Sequence, residues 1–210
     1  MNVTPQLEPA EARILAVLVE KQATVPDSYP LSLNALVTGC NQKTARDPVM
    51  EISEAEALAA LDNLRSHTLV LESSGSRVTR YAHNIAKVYQ ISTPVVAIVT
   101  TLVLRGPQTI AELRANCERL YRFADASSLE AFLTELSERS AGALTVLLPR
   151  APGAREARWA HLLSGMPEIP VATASARVEA SSGLAAEVAA LREEVARLRA
   201  EVAEFRALIE

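Results

Sequence analysis

The sequence predicts a mainly α (α+β) chain: tandem winged helix-turn-helix domains followed by a C-terminal coiled-coil helix. Three observations carry that expectation. The stretch from Leu31 to His83 reads as two helices joined by an elaborate turn and followed by a two-stranded hairpin. The same plan then recurs, down to the end of the hairpin, where Arg80-Tyr81-Ala82-His83 is echoed by Arg158-Trp159-Ala160-His161. From Leu184 onward, apolar residues alternate spacings of four and three, the heptad pattern of a coiled coil. The expected boundaries are residues 1–90 and 91–163 for the two domains, 164–183 for a flexible linker and 184–210 for the coiled coil.

The elements follow in order. A first helix is expected from about Pro9 to Gln22, because proline suits the first helical position and Ile14, Leu15, Leu18 and Val19 form an apolar stripe. Thr24 to Pro30 is a connector with two prolines. A second helix carries Leu33, Leu36 and Cys40, which match Ile110, Leu113 and Cys117 at one constant offset. The third starts at a capping box, Ser53-Glu54-Ala55-Glu56, and Leu58, Leu61 and Leu64 give it an apolar face up to His67. Leu69–Leu71 and Arg77–Tyr81 then flank Ser73-Ser74-Gly75-Ser76 as strands around a turn.

In the second pass Ser92-Thr93-Pro94 opens the first helix, and a capped helix from Ser127 repeats the box with Glu130. Leu129, Phe132, Leu133 and Leu136 form its apolar face. Val95, Val96, Ile98, Val99 and Val103 are β-branched and favour a strand on propensity alone. Their place in the repeat, with Arg105-Gly106-Pro107 as a stop, predicts a buried helix instead, since tertiary context overrides propensity.

The run Tyr29-Pro30-Leu31-Ser32, then Cys40-Asn41-Gln42-Lys43-Thr44 and Arg46-Asp47-Pro48-Val49-Met50, resembles the YceH-like family of bacterial proteins of uncharacterised function. The resemblance spans nearly the whole chain, including Leu102-Val103-Leu104-Arg105-Gly106, the second wing and the heptad tail. It implies two winged-helix domains. It brings no activity, substrate or catalytic residue with it.

Charge narrows the functional classes. Net charge is −4 over 210 residues, so attraction to nucleic acid has to come from a local patch. The helix from Ser53 carries Glu54, Glu56 and Asp62 against Arg65, and its counterpart carries Glu130, Glu135 and Glu138 against Arg139. In a winged helix this is the element that enters the major groove, where carboxylates repel phosphate. The wings argue the other way. No acidic residue lies between Glu72 and Glu112, whereas Arg77, Arg80, Lys87 and Arg105 do, and the second wing holds Arg150, Arg155 and Arg158 against Glu156. Some of these arginines can equally serve to discourage edge pairing.

The polar loop Asn41–Met50 is either a binding loop, with Lys43 and Arg46 as phosphate or carboxylate contacts, or a structural connector fixed by Asn, Asp and Pro48. Cys40 and Cys117 lack close Cys or His partners at zinc spacing and read as small buried side chains. His83 and His161 are repeat-equivalent, which suggests a shared structural contact. Tyr81 and Trp159 read as anchors from wing to core.

With seven glycines scattered as turn punctuation and no nucleophile elbow or metal-protease motif, catalysis and a cofactor are not expected. The longest apolar stretch, Pro94 to Leu104, is too short to span a bilayer; with two cysteines and no targeting segment, the expected setting is the cytoplasm.

Two functions remain. The first is a DNA-associated or regulatory protein with Arg77, Arg80, Lys43, Arg46, Arg155 and Arg158 on nucleic acid. The alternative is a protein-interaction adaptor that uses the winged helices and the coiled coil without DNA binding.

The tail predicts self-association. Val188, Val195, Val202 and Ile209 fall at a and Leu184, Leu191, Leu198 and Phe205 at d, a combination that favours two parallel strands. Glu187, Glu194 and Glu201 at g face Arg192, Arg199 and Arg206 at e of the next heptad in a parallel pair, whereas an antiparallel pair would match like charges. A parallel homodimer is the expectation, and a trimer is the competing state.

Overall fold

The structure, a computed structural model, describes residues 5–74 and 78–167. Arg77, most of the expected linker and every heptad position from Leu184 to Ile209 lie outside the described residues. What is described is a mixed α+β, mostly helical body with seven α-helices and two small antiparallel sheets among those residues.

Helix α1 (Pro9–Thr24) is central. The backbone N–H of Glu8 donates to the Glu11 carboxylate at 2.9 Å, and Glu11 also accepts from Asn63 at 2.6 Å, tying the helix start to the third helix. The expected stripe is too narrow a description: every residue from Glu11 to Val19 is buried. A helix buried on all sides needs partners on all sides. Helices α2 (Leu33–Cys40) and α3 (Glu54–Ser66) supply one flank, and α5 (Thr93–Arg105) supplies another. In α5 every residue from Val95 to Leu104 is buried, which is why its β-branched run is helical: the packing of a fully buried helix outweighs a few tenths of a kcal/mol per residue of propensity. Since α1 and α5 are the first helices of the two repeats, the halves share one continuous core.

Around this axis the first half adds β1 (Leu31–Ser32), β2 (Val70–Ser73), β3 (Arg80–His83) and the short α4 (Ile85–Tyr89). The sheet order is β1-β3-β2, antiparallel throughout, with Leu31 opposite Tyr81 and Val70 opposite His83. The second half adds α6 (Ile110–Cys117), α7 (Ala126–Ser137), β4 (Thr145–Leu147) and β5 (Trp159–His161). In place of a third strand it has a single bridge, Gln108 to Trp159. Neither β1 nor α4 was expected from sequence; each is too short to carry a periodic pattern.

Two local expectations need correction. The face of α3 that packs inward is Ala57, Ala60, Leu61 and Leu64, whereas Leu58 is 44% exposed. The small side chain of Ala57 lets α3 approach its neighbours closely, and Leu58 is rotated about 100° away from it. Helix α7 is capped by Asp125, whose carboxylate accepts from the Ser128 N–H at 2.7 Å, and not by Ser127 with Glu130. Two cap-like patterns overlap there, and the chain uses the earlier one. Ser53 and Glu56 do form a reciprocal box on α3, at 3.2 and 2.8 Å. Thr109 and Glu112 form an unforeseen one on α6, at 3.3 and 2.9 Å. In α2, Gly39 sits so close to α1 that a Cβ would come within 2.7 Å of Val17 Cγ1.

Candidate functional site

The loop after α2 was the sequence's strongest functional candidate, and its side chains divide into two groups. Asn41, Gln42 and Arg46 brace the core. The Asn41 side chain clamps the backbone of Ile52, donating from Nδ2 and accepting at Oδ1, both at 2.8 Å. The Arg46 side chain is fully buried and forks onto Glu20 of α1, with Nη1 to Oε1 at 3.1 Å and Nη2 to Oε2 at 2.6 Å. Its other N–H groups reach the carbonyls of Gly39 and Ala45 and the Gln42 side chain. Burial works against charge on Glu20, yet the Arg46 guanidinium prevails and holds the carboxyl below its ordinary range.

A second buried guanidinium, Arg13, donates to the carbonyls of Cys40 at 3.3 Å and Pro48 at 2.7 Å. Asp47 N–H meets the Leu104 carbonyl of α5 at 2.8 Å. Asn41, Arg46 and Asp47 thus lock α1, α2, α5 and the start of α3 together. The exposed residues are Lys43, Thr44 and Ala45 and, beyond Arg46, Asp47, Pro48 and Val49; Lys43 reaches Glu51 at 2.9 Å, a solvent-exposed pair that holds it weakly.

The repeated hairpin ends have a shared structural logic. Arg80 donates to the Pro30 carbonyl at 2.7 Å, and Arg158 donates to the equivalent Pro107 carbonyl at 2.7 Å. Arg158 also pairs with Glu112 at 3.0 Å. Both arginines are exposed, but each is spent on fastening its strand to the turn beside it. Tyr81 and Trp159 are buried as anchors. His83 and His161 follow, and Nδ1 of each is buried without a partner.

Burial lowers the pKa of both histidines, His161 to about 4, so both are neutral at pH 7. A folded-state pKa below the unfolded value means that the unfolded chain takes up the proton first. The stability contributed by neutral His161 is therefore complete above about pH 6.5 and is lost as pH falls toward 4. The expected loss between pH 7 and pH 4 is about 1–3 kcal/mol for this residue. Urea unfolding at steps across that range should show H161Q losing less stability than the parent; parallel losses would refute the assignment.

The remaining charges sit on the helices and the second hairpin. On α3, Glu54, Glu56 and Asp62 are exposed, while Arg65 is held by Asp62 at 3.1 Å and by Glu72 at 2.9 Å. On and just after α7, Glu130, Glu135 and Glu138 are exposed, and Arg139 turns to the Tyr89 carbonyl at the end of α4. Arg150 and Arg155 are exposed in the second hairpin, Arg150 donating to the Arg155 carbonyl at 3.4 Å. Of the nucleic-acid candidates, the structure turns Arg46 inward, ties Arg80 and Arg158 to proline carbonyls, and leaves Lys43 and Arg155 outermost.

Cys40 and Cys117 are fully buried, and burial pushes their thiols up to about 12 and about 11. Among the described residues, no group of three or more His, Cys, Asp or Glu is placed to hold a metal ion, and no helix is long and apolar enough to cross a membrane.

A family model described as "Protein of unknown function, DUF480" matches residues 7–154, which takes in all the elements above except the last strand. The chain belongs to this family. Curated members carry the name UPF0502 protein. One from Leptothrix cholodnii is 57% identical over 192 residues, 90% of this chain and 86% of the relative. One from Dechloromonas aromatica is 57% identical over 203 residues, covering 90% and 94%. A third, from Methylibium petroleiphilum, is 59% identical over 182 residues, covering 87% and 78%. The DUF480 match contains the whole bracing loop, so the Glu20–Arg46 pair and the Asn41 clamp both lie within the family region.

Proposed function

We propose that this DUF480 protein is a tandem winged-helix interaction module that binds a partner protein and carries no catalytic activity. Each half has three helices and a hairpin in winged-helix order, α1-α2-α3 with β2-β3 and α5-α6-α7 with β4-β5. The observation that carries the functional choice is the exposed face of the third helix. In both halves the element that would enter a major groove presents carboxylates, and the arginine near its end is engaged by the protein itself. Such a face is suited to a basic partner surface. The DNA-associated reading retains support in the exposed Lys43 of the loop and Arg150 and Arg155 of the second hairpin.

Fluorescence anisotropy with mixed-sequence duplex DNA at low salt separates the two. The expected result is no saturable binding by the parent chain, and a gain of non-specific binding in E54K/E56K. A pull-down from lysate should retain its partner after nuclease treatment and lose it in the same variant. Duplex binding by the parent that R155E abolishes would overturn the adaptor reading in favour of DNA.

A further inference from the structure

Where the bracing loop meets the second half, it walls a cavity of about 530 Å³, within the ~300–1,000 Å³ typical of small-molecule sites. Its walls are the C-terminal turn of α1, residues 42–45 of the loop, the C-terminal turn of α5 and the end of α6 with the turn that follows. The charge lining it is one-sided. Lys21, Lys43, Arg105 and Arg119 face it against the single carboxylate of Glu20, which Arg46 and Lys21 already neutralise at 2.6 and 3.1 Å.

In a chain whose net charge is −4, this is a local concentration of positive charge in a concavity, where low-dielectric walls strengthen the field. Two of the cations stand uncommitted: among the described residues, the guanidinium groups of Arg105 and Arg119 make no hydrogen bond or ion pair. Arg105 is nonetheless half-buried at the end of α5. Hydrogen-bonding groups lie among the cations. Asn116 is held by Gln108, to which it donates at 2.6 Å, and Thr44 lies exposed on the loop. Leu104, Leu120 and Val25 give the same cavity an apolar strip.

A smaller cavity of about 310 Å³ shares Ala45, Arg105 and Asn116 with the first and continues toward Arg158. It carries the carboxylates of Asp47 and Glu112, so an anion is favoured at the Lys43–Arg119 end and not there.

We infer that this cavity is a binding site for a small phosphorylated molecule, whose phosphate groups lie among Lys43, Arg105 and Arg119 with an organic body against Leu104 and Leu120. Forked guanidinium groups from the end of α5 and the turn after α6, with the Lys43 ammonium of the loop, match the several oxygens of a phosphate or diphosphate, and the apolar residues match a compact non-polar body. The site lies apart from the acidic faces of α3 and α7. Its failure leaves the protein-binding reading untouched, and the reverse holds as well.

Isothermal titration calorimetry on the full chain, with inorganic pyrophosphate and with ADP as probes, tests the inference. Both are expected to bind saturably at one site per chain and more weakly as salt rises, with ADP the tighter of the two. R119Q, at an exposed position, and R105Q should each weaken both probes by roughly tenfold or more, as loss of a charge-assisted contact does. R150Q in the hairpin should bind like the parent, and thermal unfolding of R119Q should match the parent to show that the fold is intact. No saturable binding of either probe, or equal binding by R105Q/R119Q, would overturn the site. Equal affinity for pyrophosphate and ADP would overturn the assignment of an organic body. Duplex DNA competing fully with pyrophosphate in the parent would overturn the small-molecule assignment in favour of a polymer phosphate.

Discussion

Replacing Arg46 with alanine is expected to destabilise the protein by about 3–5 kcal/mol, the largest effect of any single substitution in the loop. The side chain is fully buried and bonded to Glu20, Gln42 and the carbonyls of Gly39 and Ala45. Removing it leaves the half-buried Glu20 carboxylate with Lys21 alone, at 3.1 Å, and leaves the Gly39 carbonyl without this donor. Breaking a buried pair from one side costs more than the pair contributes, because the surviving charge stays desolvated. Lysine should not rescue the loss, since an ammonium cannot fork onto both oxygens of Glu20 and still reach Gly39. Urea unfolding of the parent, R46A, R46K and E20Q/R46M decides the matter. The double variant, which removes both charges and fills the volume, should recover a large part of the stability. A loss in R46A below about 1 kcal/mol, the level of a surface pair, would show that the guanidinium is dispensable.

Ending the chain after Pro167 is expected to convert a dimer in solution into a monomer. The heptad residues Leu184 to Ile209 alternate four and three without a break, and β-branched a positions with leucine at d favour a parallel pair. Each Glu-to-Arg contact between g and e contributes only tenths of a kcal/mol, so the charges choose orientation while the apolar seam supplies affinity. Light scattering at micromolar concentration should give a dimer for the full chain and a monomer for residues 1–167. Circular dichroism and thermal unfolding of the truncated chain should remain cooperative, because the described core closes before that point, with Leu7 N–H bonded to the Leu163 carbonyl at 2.7 Å. A monomeric full chain would refute the coiled coil, and a mass three times that of one full chain would assign a trimer.

Much of the architecture was legible because it is written twice. The echo of Arg80-Tyr81-Ala82-His83 in Arg158-Trp159-Ala160-His161 has a common cause, an arginine fastening the strand to a proline carbonyl and an aromatic ring anchoring it to the core. The repeat also identified α5 as a helix against its β-branched composition. The site was less legible. In the loop, Lys43 and Arg46 are three residues apart and chemically alike, yet one is exposed and the other buried. Nothing local separates them; the difference is Glu20, distant in sequence on α1, which supplies the inward counter-charge. Arg105 and Arg119 carried no pattern of their own, and only the approach of α5 and α6 to the loop puts them in one cavity with Lys43.

The sequence by itself determined the order of the main helices and the two hairpins, the duplication, the cap of α3 and the family, since each rests on contacts between near neighbours or on repetition along the chain. The tertiary structure alone decided which charges are spent on the fold and which stand free. A buried arginine and an exposed one differ in desolvation and in a partner supplied by another helix, and both quantities exist only once the helices have packed.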